Sequence, residues 1–368
     1  MALFERLILP FFMEDSFLKI AIVGATGLVG STLIQIINER KLVFDNLCHG
    51  KKDGDGFDEY FLFGGKNSRG RVVTILSKSY TVEELNKENI RNLGCRIAFF
   101  MTKSQVSKDF AEEFIKAGCT VIDNSSAFRT LKDVPLVVPS VNGSLLTKKA
   151  NLIANPNCTT IPLVEVLSAL STVGKIKRVC VATYQAVSGA GYGGILELEQ
   201  KADSPCKIMP ARIFSNCIPQ IDRITKSGYT AEENKIIRET RKILKNRALK
   251  ITATAVRVPV INCHAESVCL EFYDKITLSD VRRALKKSRR IKDYPCGDQI
   301  YPTAISADGN DLVHVGRVRR DFSVKHGISL WIVSDNLRVG AAANAVDICL
   351  QLLKSRDDFR QNTRLTDI

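Results

Sequence analysis

No C-x-x-C pair occurs among the eleven cysteines of this 368-residue chain. The usual zinc knuckles are thereby excluded, and an odd set of irregularly spaced thiols gives no disulfide framework. Free thiols in a reducing compartment, the cytoplasm, are the expectation. No apolar run reaches about 18 residues, so no helical membrane span is expected. The opening segment is a poor signal peptide: the apolar run Leu7 to Phe12 is short, Arg6 is balanced by Glu5, and no small-residue cleavage site follows. Residues 1–16 read as a disordered extension, with Met13 as an alternative start. Internal repeats and low-complexity tracts are missing. Histidine is scarce, with only His49, His264, His314 and His326, so any imidazole chemistry has few candidates.

What is present is ordinary for a water-soluble globular chain: 45% apolar and 25% charged residues. The length suggests two domains and a large core. The net charge is +14 and the pI about 9.3. This excess is spread along the chain without an aromatic-interleaved basic stripe, which favours an anionic small ligand over nucleic acid. The densest group, Lys286, Lys287, Arg289, Arg290 and Lys292, reads as a solvated face.

Phe17 to Val23 reads as a buried strand running into Gly24-Ala25-Thr26-Gly27-Leu28-Val29-Gly30, and Ser31 to Glu39 has helical apolar spacing. Strand, glycine-rich turn and helix open a βαβ unit, and the helix N-terminus would face a pyrophosphate. Arg96–Phe100 and Thr120–Ile122 read as further strands around a helix Val106–Ala117 ended by Gly118. From about residue 150 the pattern changes to α+β. It has helices at 161–170, 236–244, 278–289 and 340–353, and strands at 178–186, 250–260 and 266–272. The expected class is α/β: a Rossmann-type domain over 17–154, completed by a C-terminal helix at 337–354, and a catalytic domain over 155–336.

After the second strand, ending at Phe63, come Lys66, Asn67, Ser68 and Arg69 with no acid among them. That chemistry suits a 2′-phosphate, hence NADP. Asn155-Pro156-Asn157-Cys158-Thr159-Thr160 precedes a helix start, where a thiol should gain thiolate character. Asn157 could donate to an oxyanion, and His264, just past a strand, is the candidate partner of Cys158. No metal site is read from the sequence.

Together GATGLVG, VIDNSSAFR, VPLVVPSVN, NPNCTT, YQAVSGAG, RVPVINCH, VGRVRRD and NLRVGAAANAV resemble the aspartate-semialdehyde dehydrogenase family from about Leu18 to Leu353. The resemblance implies a glyceraldehyde-phosphate-dehydrogenase-like two-domain fold. It implies NADPH-dependent, reversible reduction of aspartyl phosphate to aspartate semialdehyde and inorganic phosphate, on the route to lysine and diaminopimelate, threonine and methionine. It implies a homodimer, with a tetramer as the variant. By the same resemblance Cys158 forms the thioester, His264 is the acid/base and Gln185 orients the substrate. Arg257 holds the substrate carboxylate, Arg129 and Lys235 the phosphate, and Glu232 the amine. Gly24, Thr26, Gly27, Leu28, Val29, Ser188, Gly189 and Asn336 fall where the family contacts the cofactor. Departures are the insertion-like Cys48–Glu59, Asn67 where many members carry a cation, and Met101–Gln105 in place of a Gly-rich loop. Rival readings are N-acetyl-γ-glutamyl-phosphate reductase, glyceraldehyde-phosphate dehydrogenase, and an inactive paralogue serving as a binding protein.

Overall fold

The structure, a computed structural model, describes residues 18–44, 58–147, 150–200 and 206–363, with side chains to 354. The N-terminal extension and most of the 48–59 insertion lie outside these residues.

Two sheets organise the chain into a two-domain α/β fold. The first has seven strands in the order β3-β4-β2-β1-β5-β6-β7. Its strands are β1 Leu18–Val23, β2 Asp58–Gly64, β3 Val72–Ile75, β4 Lys78–Glu84, β5 Ile97–Phe100, β6 Thr120–Asp123 and β7 Leu152–Ala154. All pairings are parallel except β3 with β4. β1 has β2 on one side and β5 on the other, so the crevice at its carboxyl end is the topological switch point. The helix Ala343–Thr363 closes this domain from the far end of the chain: Val346, Ile348, Leu352 and Leu353 pack in one core with Ile20, Ile22, Leu33 and Ile37. Each such buried aliphatic side chain contributes roughly 1.5–3 kcal/mol.

The second sheet has six strands in the order β11-β12-β13-β10-β8-β9. They are β8 Ile176–Gln185, β9 Lys250–Arg257, β10 His264–Phe272, β11 Ile291–Asp293, β12 Val313–Asp321 and β13 Gly327–Ser334. Helices Thr160–Ser171, Ala231–Ile243 and Leu278–Lys287 cover one face through Ile161, Val164, Ile236 and Val281. Among the described residues no helix is long and apolar enough to cross a membrane.

Several expectations are corrected. β3, β4, β7, β11, β12 and β13 have no counterpart in the sequence reading. Three of them are three- or four-residue pieces, and β12 carries charged residues such as Arg317 and Arg319 on its more open face. The cysteines are not all free: Cys95 and Cys119 are joined in a disulfide. They precede the neighbouring parallel strands β5 and β6, which brings their Cα atoms to 5.5 Å. A sequence separation of 24 hides that contact. Arg290 is not merely solvated either, since it pairs with Asp347 at 3.0 Å.

Candidate active site

The glycine turn is built for close approach. Gly24 has φ +86°, and a Cβ there would stand 2.3 Å from the Met101 carbonyl oxygen. A Cβ on Gly30 would stand 2.1 Å from the Gly24 carbonyl oxygen. Gly27 caps the helix Leu28–Glu39 without a side-chain bond, and no acid lies in its first turn. The N-terminus therefore offers bare backbone donors and a positive dipole end to a phosphate. Thr26 Oγ1 meets Ser68 Oγ at 2.8 Å, tying the turn to the short 3-10 segment Lys66–Ser68 at the end of β2. Lys66, Asn67 and Arg69 are exposed there. These residues fit a dinucleotide, and two of them, Lys66 and Arg69, are exposed cations.

Beside this turn lies a cavity of about 420 Å³ between the two sheets, with Val29, Arg129, Asn157, Cys158, Gln185 and Lys235 in its wall. Ser188, Gly189, Glu232, Arg257 and Asn336 also face it. Cys158 precedes the helix Thr160–Ser171. Asn157 shapes that approach, its Oδ1 accepting from Thr159 N–H at 2.9 Å and Thr159 Oγ1 at 2.6 Å, a local Asx turn. The Asn157 amide nitrogen donates to Glu232 Oε1 at 2.9 Å, so it is engaged rather than offered to an oxyanion. Gly340 packs directly against Cys158, since a Cβ there would come 2.8 Å from Cys158 Cβ.

The thiol does not behave as a helix terminus alone would have it. Burial pushes Cys158 up to about 12, and the Glu232 carboxylate adds to this, while Arg129, Arg257 and Lys235 pull the other way. In the cavity wall, two residues before the helix, desolvation and Glu232 outweigh the three nearby cations.

His264 opens β10 rather than following a strand. Cys263 before it holds φ +72°, strain that turns the chain into the site. The Ala186 N–H donates to His264 Nδ1 at 3.1 Å, so in the neutral ring the proton sits on Nε2. Burial and the Arg257 guanidinium hold His264 down to about 3. Its Nε2 has no partner among the described residues. A Cβ on Gly189 would be 3.2 Å from that Nε2 and 3.0 Å from Arg257 Nη1, so both atoms flank the same bare stretch of cavity wall. Asn336 clamps this wall, donating to Ser188 Oγ at 2.9 Å and accepting from Cys263 N–H at 2.9 Å.

The helix Ala231–Ile243 supplies the charged side. It begins with a capping box between Thr230 and Glu233. Glu232 Oε2 meets Lys235 Nζ at 3.2 Å, and its Oε1 accepts from Gln185 Nε2 at 3.3 Å. Glu239, which the sequence reading missed, accepts Asn157 N–H at 2.7 Å and pairs with Arg129 Nη1 at 3.2 Å. Its signal was helical spacing: 232, 235 and 239 share one face. Asp222, also missed, pairs with Lys235 at 3.0 Å from an irregular loop, where no periodicity could reveal it. Arg257 Nη1 donates to the Ala186 carbonyl at 2.6 Å, and its Nε has no partner among the described residues.

Two residues beyond His264, Glu266 is buried with neither carboxyl oxygen partnered among the described residues. Burial alone raises it well above the usual carboxylate range. The folded protein thus keeps a proton that the unfolded chain loses above about pH 4.5. Stability falls as pH rises beyond that point, by up to about 1.4 kcal/mol per pH unit. Glu266→Gln should remove this dependence. Its Tm advantage over the native chain should be larger at pH 8 than at pH 5, and an equal difference at both would show that Glu266 does not hold the proton.

Comparison with known proteins agrees with the two-sheet division. Residues 19–149 match the family model "Semialdehyde dehydrogenase, NAD binding domain", and residues 167–339 match "Semialdehyde dehydrogenase, dimerisation domain". The aspartate-semialdehyde dehydrogenase of Aquifex aeolicus is 42% identical over 348 residues, 91% of this chain and 98% of the relative. That of Bacillus subtilis is 39% identical over 354 residues, 92% and 98% respectively. The crystal structure of aspartate semialdehyde dehydrogenase II complexed with ASA from Vibrio cholerae superposes with a TM-score of 0.84 at 36% identity, covering 92% of this chain and 99% of that one.

Proposed function

The chain belongs to the aspartate-semialdehyde dehydrogenase family, and on that premise we propose that it reduces aspartyl phosphate with NADPH to aspartate semialdehyde and inorganic phosphate, reversibly, through a thioester on Cys158. The observation that carries this reading is the convergence of Cys158, Gln185, Arg129, Lys235 and Arg257 on one cavity beside the glycine turn. Arg257 suits the substrate carboxylate, since its guanidinium is the cavity cation with no carboxylate hydrogen-bonded to it among the described residues. Glu232 suits the ammonium. Arg129 and Lys235 suit the phosphate. The Cys158 sulfur attacks the acyl carbon and gives up its thiol proton, the bond to the phosphate oxygen breaks, and phosphate leaves with the electron pair and takes up that proton. The bound nicotinamide supplies the hydride. The His264 Nε2–H is the donor available to the oxygen of the tetrahedral centre, which then re-forms C=O as the C–S bond breaks and the sulfur regains a proton.

The Glu232 carboxylate favours a free amine over an acetylated one. The test is phosphate-dependent NADP⁺ reduction, comparing aspartate semialdehyde with N-acetylglutamate semialdehyde. Turnover only with the second would replace this assignment by the N-acetyl-γ-glutamyl-phosphate reductase reading. Lys66 and Arg69 support NADP as the cofactor, and Lys66→Ala with Arg69→Ala should raise KM for NADPH at least tenfold more than for NADH. A native preference for NAD of tenfold in kcat/KM, about 1.4 kcal/mol, would sink it. The outer face of the six-stranded sheet, where Tyr184, Tyr301, Pro302 and Trp331 line a hollow of about 550 Å³, supports a homodimer.

A further inference from the structure

The charges around the cavity come in near-cancelling pairs. Arg129 is matched by Glu239 at 3.2 Å, and Lys235 is shared between Glu232 at 3.2 Å and Asp222 at 3.0 Å. Only Arg257 has no carboxylate hydrogen-bonded to it among the described residues. Three cations therefore meet three carboxylates, and the arrangement is formally neutral. The substrate proposed above carries one ammonium, one carboxylate and a phosphate, and is a net anion. A neutral site gives a dianionic group little electrostatic reason to settle on Lys235.

One of the three carboxylates is built differently. Glu239 has a side chain only 3% exposed and accepts a backbone N–H of the cysteine loop. Glu232 is 6% exposed and also accepts from Asn157 and Gln185. Asp222 is 42% exposed, lies outside any helix or strand, and its other bond is to the N–H of its own neighbour, Arg223, at 2.9 Å. Its φ is +68°, a left-handed conformation that aspartate and asparagine tolerate. An ion pair so open to solvent contributes at most about 1 kcal/mol, little against the Coulomb attraction of a dianion. When it opens, Glu232 still orients the lysine from one helical turn away.

We propose that Asp222 is a displaceable counter-ion: it holds the Lys235 ammonium until the substrate phosphate or inorganic phosphate replaces it, and it returns to Lys235 as phosphate departs. This rests on the reading of Lys235 as a phosphate-binding residue. Asp222 then sets phosphate affinity and helps release, without touching the reacting carbon.

The sign of the test is the reverse of that for a binding residue. Asp222→Asn keeps the backbone conformation and removes the charge. In the oxidative direction, with aspartate semialdehyde and NADP⁺, its KM for inorganic phosphate should fall roughly three- to tenfold. The gain should shrink as ionic strength rises, while KM for NADP⁺ stays put. Asp222→Gly, which accepts the same φ, should move in the same direction. Lys235→Met should raise the phosphate KM and abolish the gain from Asp222→Asn. If both Asp222 variants leave the phosphate KM unchanged or raise it, while Lys235→Met raises it, Asp222 is not displaced and the proposal fails with the function intact. If Lys235→Met leaves the phosphate KM unchanged, the placement of phosphate on Lys235 is wrong, and the proposal falls with it.

Discussion

Cys158→Ala should retain only background turnover, a loss on the order of 10⁴ or more in kcat, because among the described residues no other cysteine lines the cavity. Cys158→Ser should be nearly as poor, since a hydroxyl is a far weaker nucleophile near neutral pH. After mixing with aspartate semialdehyde and NADP⁺ without phosphate, mass spectrometry should find an acyl adduct on Cys158 alone among the eleven cysteines. Burial holds the free thiol up to about 12, so alkylation of Cys158 by iodoacetamide should keep climbing with pH through about pH 9 without a plateau. A plateau below about pH 8 would mean that the three cations and the helix terminus prevail over desolvation. An adduct on another cysteine, or native turnover in Cys158→Ala, would overturn the thioester mechanism.

His264→Ala should lose roughly 10²–10⁴ in kcat while keeping a reactive thiol. Because burial and Arg257 hold its pKa down to about 3, the ring is neutral throughout the working range. The kcat/KM profile of the free enzyme should therefore show no limb near pH 6.5, and one that vanishes in His264→Ala would contradict the buried neutral ring. His264→Asn should recover some substrate binding and little rate, as an amide can donate a hydrogen bond but cannot pass a proton. The double variant with Cys158→Ala should be scarcely worse than Cys158→Ala, since both residues serve one reaction. Additive losses would separate their roles.

The sequence was readable where a local pattern carries the information. The strand, glycine turn and helix of Leu18–Glu39 follow from an apolar run, three glycines and a helical stripe. The last helix was legible from its Ala- and Leu-rich spacing. The two-residue hairpin turn at Leu76 and Ser77 was not, as both have positive φ without a glycine or asparagine to announce it. The Cys95–Cys119 bridge was hidden for a different reason. It depends on β5 and β6 lying side by side, which neither cysteine's neighbours encode.

By itself, the order of residues determined the α/β class and the place of the dinucleotide turn, and it offered Cys158 and His264 as candidates for the chemistry. These follow from backbone sterics and side-chain type, both local properties. Tertiary structure alone decided how those groups are charged and paired. It placed Cys158 in a cavity wall where desolvation and Glu232 raise the thiol despite three nearby cations, fixed the proton of neutral His264 on Nε2 through the Ala186 N–H, and set Glu239 and Asp222 against Arg129 and Lys235. Electrostatic free energy depends on distances and on the exclusion of water, and neither exists until the two sheets have packed.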